Sequence, residues 1–332
     1  MIKNRPKISI VTPSFNQGHF IEETIDSVLS QQYPNLEYII IDGGSTDNSI
    51  EIIKKYAKHL HYWVSAKDNG QSHAINKGLS RANGTVFNWL NSDDTYTEGT
   101  LKRVGEIFME PEVNVFAAKS EIFFPDGSRF LSKGTDIYSD NLAKSIGCAR
   151  IDQPETFFRK SCIDAVGGLQ ENLHYIMDRD LWIRYLLKYG LAGIHTSDHI
   201  AVRFRIHDQS KTSSRGAEFN KERANYYFSI ANNGGHEAIA HILSTAENCR
   251  RIPAPVVSDK ELLQSLLNYH LLLLAEEKYQ NNEKYLTHHY LQNVDANILD
   301  PSSKKLYHKI RFRNQYLPLV MINLFRRLSR RP

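Results

Sequence analysis

The chain has 332 residues, with 41 Lys and Arg against 37 Asp and Glu, enough for one large domain and an appendage. Charged residues at 23% and aromatics at 11% exclude wholesale disorder. The formal charge of +4 is unevenly spread. Residues 301–332 hold nine basic side chains (Lys304, Lys305, Lys309, Arg311, Arg313, Arg326, Arg327, Arg330, Arg331) and no acidic one, leaving −5 on residues 1–300.

Three distant cysteines, Cys148, Cys162 and Cys249, form no C-x-x-C pair. They exclude a disulfide scaffold and a thiolate zinc site and fit a reducing compartment. Residues 1–6 lead into a strand-like run without a signal-peptide core. No apolar run approaches the roughly 18 residues of a spanning helix, and the longest candidate, residues 316–325, contains Pro318 and Asn323. The expectation is a cytoplasmic protein.

In chain order, residues 8–12 (ISIVT) read as a buried strand. A helix follows, with Ile21, Ile25, Val28 and Leu29 at helical spacing and Glu22 and Glu23 in its first turn. Strands at 36–42, 60–65 and 85–90 alternate with helices at 49–56 and 71–81. This alternation predicts parallel pairing through right-handed crossovers, hence an α/β sandwich. Ligands in such sheets bind beyond the carboxyl ends of the strands. The polar clusters TPSFN (12–16), DGGSTD (42–47) and NSDD (91–94) stand at those ends. From residue 113 the pattern changes to a hairpin (113–124, turn, 128–131), a strand at 153–159, a helix at 178–189 and a strand at 199–206. Beyond about residue 216 the segments are helical, as at 262–275 and 283–291, without a fixed repeat.

Asp93 and Asp94 admit two readings. Adjacent carboxylates in a cleft repel, and Mg²⁺ or Mn²⁺ holding a diphosphate relieves the repulsion. Alternatively they form an Asx turn or an N-cap before a helix over 95–108. Asp47 could likewise cap the helix that follows it.

Eight ordered motifs carry a resemblance: ISIVTPSFN (8–16), DGGSTDNS (42–49), DNGQSHAINKG (68–78), WLNSDD (89–94), QPETFFRK (153–160), VGGL (166–169), MDRDLWIRY (177–185) and RIHDQSKT (205–212). In order and spacing they resemble family 2 glycosyltransferases over about residues 6–215. The resemblance implies a GT-A Rossmann-like α/β/α sandwich with a mixed, mainly parallel sheet. It also implies a nucleotide-diphosphate-sugar donor, a divalent metal (Mn²⁺ or Mg²⁺) and inversion at the anomeric carbon. The domain expectation is a GT-A unit over 1–215 and a helical region with a basic tail over 216–332.

Carried over residue by residue, Thr12 and Pro13 match the nucleotide-touching loop. Asp42 matches the carboxylate at the base or ribose, and Asp68 the next nucleotide-side acid. Asn91, Ser92 and Asp93 occupy the Asp-x-Asp place, with Asn91 a departure, Asp93 the metal contact, and Asn91 a neutral ribose donor. Asp178 matches the catalytic base, although Met177 stands where the family has Glu; Asp180 is the competing base, or a helix N-terminal charge. His207 matches a histidine that approaches the metal or diphosphate.

No G-x-G-x-x-G or P-loop is present, and His195 and His199 lack the zincin Glu between them. The absence of membrane helices and of Gln-x-x-Arg-Trp favours single addition over processive synthesis, in cell-surface polysaccharide or glycolipid assembly. The acceptor is a saccharide or lipid-linked saccharide, and no nucleic acid is expected. Asn91 and Met177 leave open a nucleotide-sugar-binding module that has lost turnover. Arg311 and Arg313, the apolar stretch 317–325 and the terminal arginines suit either contact with an anionic inner-membrane surface or a solvated basic helix.

Overall fold

The computed structural model describes residues 5–318 and 321. The elements in chain order are β1 (Ile8–Ser14), α1 (Ile21–Leu29), β2 (Leu36–Asp42), α2 (Ser49–Tyr56), β3 (Tyr62–Ser65), α3 (Gln71–Arg81), β4 (Val86–Trp89), β5 (Thr95–Tyr96) and α4 (Thr100–Ile107). They continue with β6 (Val115–Phe123), β7 (Arg129–Leu131), α5 (Leu142–Gly147), β8 (Thr156–Arg159), α6 (Lys160–Val166), α7 (Met177–Tyr189), β9 (Ile194–Arg205) and α8 (Lys211–Ser214). The remainder is helical: α9 (Gly216–Asn233), α10 (Glu237–Glu247), α11 (Lys260–Gln280), α12 (Lys284–Leu291) and α13 (Pro301–Tyr316).

The strands form one mixed sheet in the order β3-β2-β1-β4-β8-β6-β9-β5, with β7 on β6. The first four are parallel; β1 and β2 are the β-branched, buried runs such pairing favours, while the edge strand β3 is half-buried. Beyond β4 the pairing turns antiparallel through β8, while β6 and β9 run parallel. Ile8, Ile10, Ile40, Val86, Phe116 and Phe157 join Ile21, Ile25 and Val28 of α1 in the core.

The helix expected over 95–108 is shorter and is preceded by a strand. Thr95 and Tyr96 pair with Arg203 and Val202, and Tyr96 N donates to Ser27 Oγ, so tertiary pairing holds this stretch extended. The helix begins only at Thr100, after Gly99 at φ +78° without a side-chain cap. Asp93 and Asp94 therefore do not cap a helix.

Compactness divides the chain into one unit of Met1–Ile137 with Arg150–Glu222, and a second of Tyr138–Ala149 with Arg223–Pro332. In the second, α5 approaches α11 so closely that a Cβ on Gly147 would stand 2.3 Å from the Leu266 carbonyl oxygen. Tyr227 stacks on His270 at 3.5 Å, and His270 Nδ1 lies 3.0 Å from the Gly147 carbonyl oxygen. The terminal arginines and most of the apolar stretch 317–325 lie outside the described residues. No helix among those described is long and apolar enough to cross a membrane.

At the amino ends of β1, β2 and β4 a buried carboxylate ties the parallel strands. Glu37 accepts from Lys7 Nζ at 2.6 Å, Ser9 Oγ at 2.5 Å and Asn83 N at 2.7 Å. Burial pushes its pKa up, but these donors outweigh burial and hold it below the usual glutamate value. Glu37→Ala leaves the donors unpaired and is expected to cost about 3 kcal/mol, read from the urea midpoint. The depressed folded-state pKa means that this stabilisation is full above the ordinary glutamate range and fades as pH falls through the folded value. The wild-type advantage over the variant should therefore narrow in acid.

Candidate active site

The loops after β1 and β2 are built against each other. Asn16, at φ +53°, accepts from Thr46 N through Oδ1 at 2.9 Å, and its own N donates to Ser45 Oγ at 2.8 Å. Gln17 N donates to Ser49 Oγ and Gly18 N to Asp47 Oδ2. A Cβ on Gly18 would stand 1.7 Å from Asn48 Oδ1, so a side chain there would have to displace the Asn48 amide. Asp47 joins the two loops and also accepts from Ser49 N at 3.0 Å.

Of the side chains expected to touch a nucleotide, two face the interior. Thr12 is fully buried with Oγ1 3.0 Å from the Tyr38 hydroxyl. Asp42 is also fully buried, accepting from Gly44 N, Ser45 N, Ser45 Oγ and Ser65 Oγ. Its carboxylate closes the turn after β2. Pro13 is buried beside them. Asp68 is half-buried and accepts from Gly70 N at 2.9 Å; its Oδ2 stands 3.0 Å from where a Cβ on Gly43 would sit. Phe15, which the sequence reading did not single out, is 59% exposed at the carboxyl end of β1. An aromatic directly after a buried strand was its signal.

The end of β4 meets the end of β9. Asp94 is buried, its Oδ1 accepting from Arg205 N at 3.1 Å and its Oδ2 from Asn91 Nδ2 at 3.3 Å. Burial and the adjacent Asp93 charge raise its pKa well above the usual carboxylate range. Ser92 is buried between. Asp93 is partly exposed, and its Oδ2 lies 3.0 Å from His207 Nε2, 114 residues away in sequence. Arg205 secures this meeting: Nε donates to the Asp93 carbonyl at 3.1 Å, and the guanidinium lies over Phe20 and Phe123 and pairs with Glu23. The Phe20 ring packs 4.7 Å from that of His207.

A polar chain runs from here toward α7. Asn91 Oδ1 accepts from Gln71 Nε2 at 2.8 Å, and Gln71 Oε1 accepts from Lys211 Nζ at 2.9 Å. Lys211 Nζ also reaches the His174 carbonyl oxygen at 3.3 Å. Glu222 accepts from the consecutive N–H groups of His174, Tyr175 and Ile176, fixing the entry to α7. Asp178 follows in the first turn, with Oδ1 accepting from Arg179 N at 2.7 Å. Burial pushes its pKa up to about 6, against the lowering effect of that N–H and of the Arg179 charge. Burial lowers the Lys211 ammonium, and the carboxylates of Glu222 and Asp178 oppose that shift.

Asp180 differs from Asp178. It is buried, and its Oδ2 accepts from Arg184 Nε at 2.8 Å and Nη2 at 2.5 Å, while Arg184 also donates to the carbonyls of Val166 and Gly168. Met177 turns inward, its sulfur 2.7 Å from Ser72 Oγ. Gln71, Arg205 and Lys211 stood inside the motifs already quoted without being assigned, whereas Glu222 carried no local signal.

Among the described residues no cluster of three or more His, Cys, Asp or Glu side chains is arranged to hold a metal. Asp93 and His207 together offer one carboxylate oxygen and one imidazole nitrogen, a donor pair that suits Mn²⁺ when ligand oxygens and water complete the shell.

Residues 9–159 match the sequence model of Glycosyl transferase family 2. TuaG of Bacillus subtilis, named as a teichuronic acid biosynthesis glycosyltransferase, is 29% identical over 222 residues, 64% of this chain and 83% of that one. An uncharacterized glycosyltransferase of Rickettsia typhi is 27% identical over 222 residues, 63% of this chain and 67% of its own. Staphylococcus aureus TarS, solved with UDP-GlcNAc, superposes with a TM-score of 0.57 at 18% identity, covering 93% of this chain and 88% of that one. The mannosyltransferase PcManGT of Pyrobaculum calidifontis, solved with GDP-Man and Mn²⁺, gives a TM-score of 0.53 at 14% identity, covering 99% and 89%. The shared fold is GT-A.

Arg205→Ala removes the donor to the Asp93 carbonyl, two ring contacts and the Glu23 pair. A loss of about 2–4 kcal/mol in chemical denaturation is expected. Glu23→Gln, which removes only the exposed ion-pair charge, should cost under about 1 kcal/mol. Equal losses would show that the Glu23 pair, and not the strand-end contacts, carries Arg205.

Proposed function

We propose that the chain is a family 2 glycosyltransferase, the family whose sequence model residues 9–159 match, and that it moves one sugar from a nucleotide-diphosphate-sugar to an acceptor hydroxyl with inversion. The observation that carries this reading is the meeting of Asp93 with His207 at the carboxyl end of the parallel strands, linked by Asn91, Gln71 and Lys211 to the side of Asp178. The nucleotide-bound structures of TarS and PcManGT support the donor class. The likeness to TuaG supports an acceptor in cell-surface polysaccharide, either a saccharide or a lipid-linked saccharide.

In this reading Asp178 takes the acceptor proton as the hydroxyl attacks the anomeric carbon. The bond from that carbon to the phosphate oxygen breaks on the opposite face, and the nucleoside diphosphate leaves with the electron pair. Direct displacement needs one base, which fits inversion. Asp180, held by Arg184, maintains α7 and the loop over Val166–Gly168. Asp93 and His207 would hold Mn²⁺ or Mg²⁺, which when bound supplies charge stabilisation to the leaving diphosphate. Lys211 is placed to contribute a fixed positive charge on the same side. Phe15 offers a ring face to the nucleobase at the β1 end, with Pro13 below and Asp68 on the nucleotide side; Thr12 and Asp42 shape the loops from within. Asn91 and Ser92 keep the β4 end in register with the donor.

Nucleotide release from UDP-, GDP-, dTDP- and CMP-sugars, measured with and without Mn²⁺, tests the assignment. At least one donor should be hydrolysed or transferred with metal dependence, and Asp93→Ala should reduce this at least about a hundredfold. Tight donor binding with no release under any acceptor would instead establish the binding-module reading, which Asn91 and Met177 keep in view.

The base assignment makes a separate demand. Asp178 must be ionised to accept a proton, so kcat should rise with pH through about 6, the value to which burial raises it. Asp178→Asn should lower kcat about a thousandfold while donor affinity is retained. Asp180→Asn should act mainly on the unfolding midpoint. A larger kcat loss at Asp180 than at Asp178 reverses the assignment.

A further inference from the structure

Helix α13 buries one stripe, Ser303, Tyr307, Ile310 and Asn314, spaced four, three and four residues apart. Two positions further on, about 200° around the helix, Lys305, Lys309, Phe312 and Tyr316 repeat that spacing on the opposite face. All four are exposed, Phe312 at 58% and Tyr316 at 63%, and the two rings lie 5.3 Å apart. Exposed Lys304, His308 and Arg311 flank the stripe.

This composition does not suit a merely solvated face. Solvated helices intersperse both signs of charge at four-residue spacing. Here no acidic residue occurs anywhere from Pro301 onward, and among the described residues Lys304, Lys305 and Lys309 form no ion pair. Asp300 is committed elsewhere: it caps α13 through Ser302 N and Ser303 N and pairs with Lys144 at 3.0 Å. The lysines therefore repel one another, and two adjacent aromatic rings remain in water beside them. An anionic surface with an apolar interior relieves both costs. Basic residues sit at its charged plane, while Phe and Tyr enter the boundary between headgroups and acyl chains. The sequence that follows continues the same alternation, with Ile322, Leu324 and Phe325 before Arg326, Arg327, Arg330 and Arg331.

We propose that the outward face of α13, Lys305, Lys309, Phe312 and Tyr316, is a docking surface for an anionic lipid bilayer. The helix lies in the plane of the membrane surface, with its buried stripe still packed on its own unit. The surface is independent of the transferase chemistry and stands or falls without it.

Co-sedimentation of the full chain with vesicles of phosphatidylcholine alone, and of phosphatidylcholine mixed with phosphatidylglycerol, tests the proposal. Binding should require phosphatidylglycerol and weaken with salt. Each basic residue near such a surface raises partitioning roughly fivefold, so Lys305→Gln with Lys309→Gln should weaken it about 25-fold. Phe312→Ser with Tyr316→Ser should weaken it about tenfold or more, which pure charge attraction does not predict. These positions are solvent-facing, so circular dichroism and the thermal midpoint should match the wild type. The proposal is overturned if both double variants bind as the wild type does. It is equally overturned if binding is lost only when Arg326, Arg327, Arg330 and Arg331 are replaced by Gln. Retention of an RNA oligonucleotide, with no vesicle binding at low salt, would assign the face to nucleic acid instead.

Discussion

The candidate site depends on Arg205. The ends of β4 and β9 are not paired with each other; β5, which directly follows Asp94, pairs with β9, and Arg205 extends that meeting to Asp93 and Asp94. Arg205 joins them three ways: its N–H enters the buried Asp94 carboxylate, its Nε holds the Asp93 carbonyl, and its guanidinium rests on Phe20 and Phe123. The Asp93 carbonyl is held by Arg205 Nε, and the His207 ring lies 3.0 Å from the Asp93 carboxylate. His207, two residues beyond Arg205, is delivered to it. A lysine in this position could supply charge but not the flat, forked contact with a carbonyl and two rings at once.

The aspartates around this site show how little residue type alone decides. Asp42 is consumed by four donors of its own turn and Ser65. Asp94 is buried beside another carboxylate, so protonation is favoured, and it serves as an interior acceptor. Asp180 is neutralised by Arg184. Asp93 and Asp178 differ in their partners: Asp93 meets an imidazole, and Asp178 accepts from backbone N–H groups in its own turn, with no side-chain cation on it among the described residues, while burial lifts its pKa to about 6. Those are the conditions under which a carboxylate remains available to a cation or a proton.

Much of this was legible in the sequence because it rests on local periodicity and ordered motifs. The strand at Leu36–Asp42 and the helices Ser49–Tyr56 and Gln71–Arg81 have the expected bounds, since β-branched runs and amphipathic spacing are short-range signals. The stretch after Asp94 was not legible. Its conformation follows from pairing with Val202 and Arg203, more than a hundred residues away, and that pairing overrides a helical pattern. The role of Glu222 was hidden for the same reason: three N–H groups 46 to 48 residues upstream give a carboxylate its meaning. Likewise, the family resemblance could nominate Thr12 and Asp42 as nucleotide contacts, but only packing reveals that both side chains point inward.

The two departures from the family pattern follow from the same packing. A carboxylate at position 91 would place a third negative charge against Asp93 and Asp94, the latter buried and already disfavoured as an anion. Asn91 instead donates to Asp94 and accepts from Gln71, joining the strand end to Lys211 without adding charge. At position 177 the side chain lies against Ser72 in the interior, where burial disfavours an ionised glutamate and methionine carries no charge to bury. Both positions carry no charge in this chain, Met177 buried and Asn91 partly buried, while the partly exposed carboxylates Asp93 and Asp178 are retained.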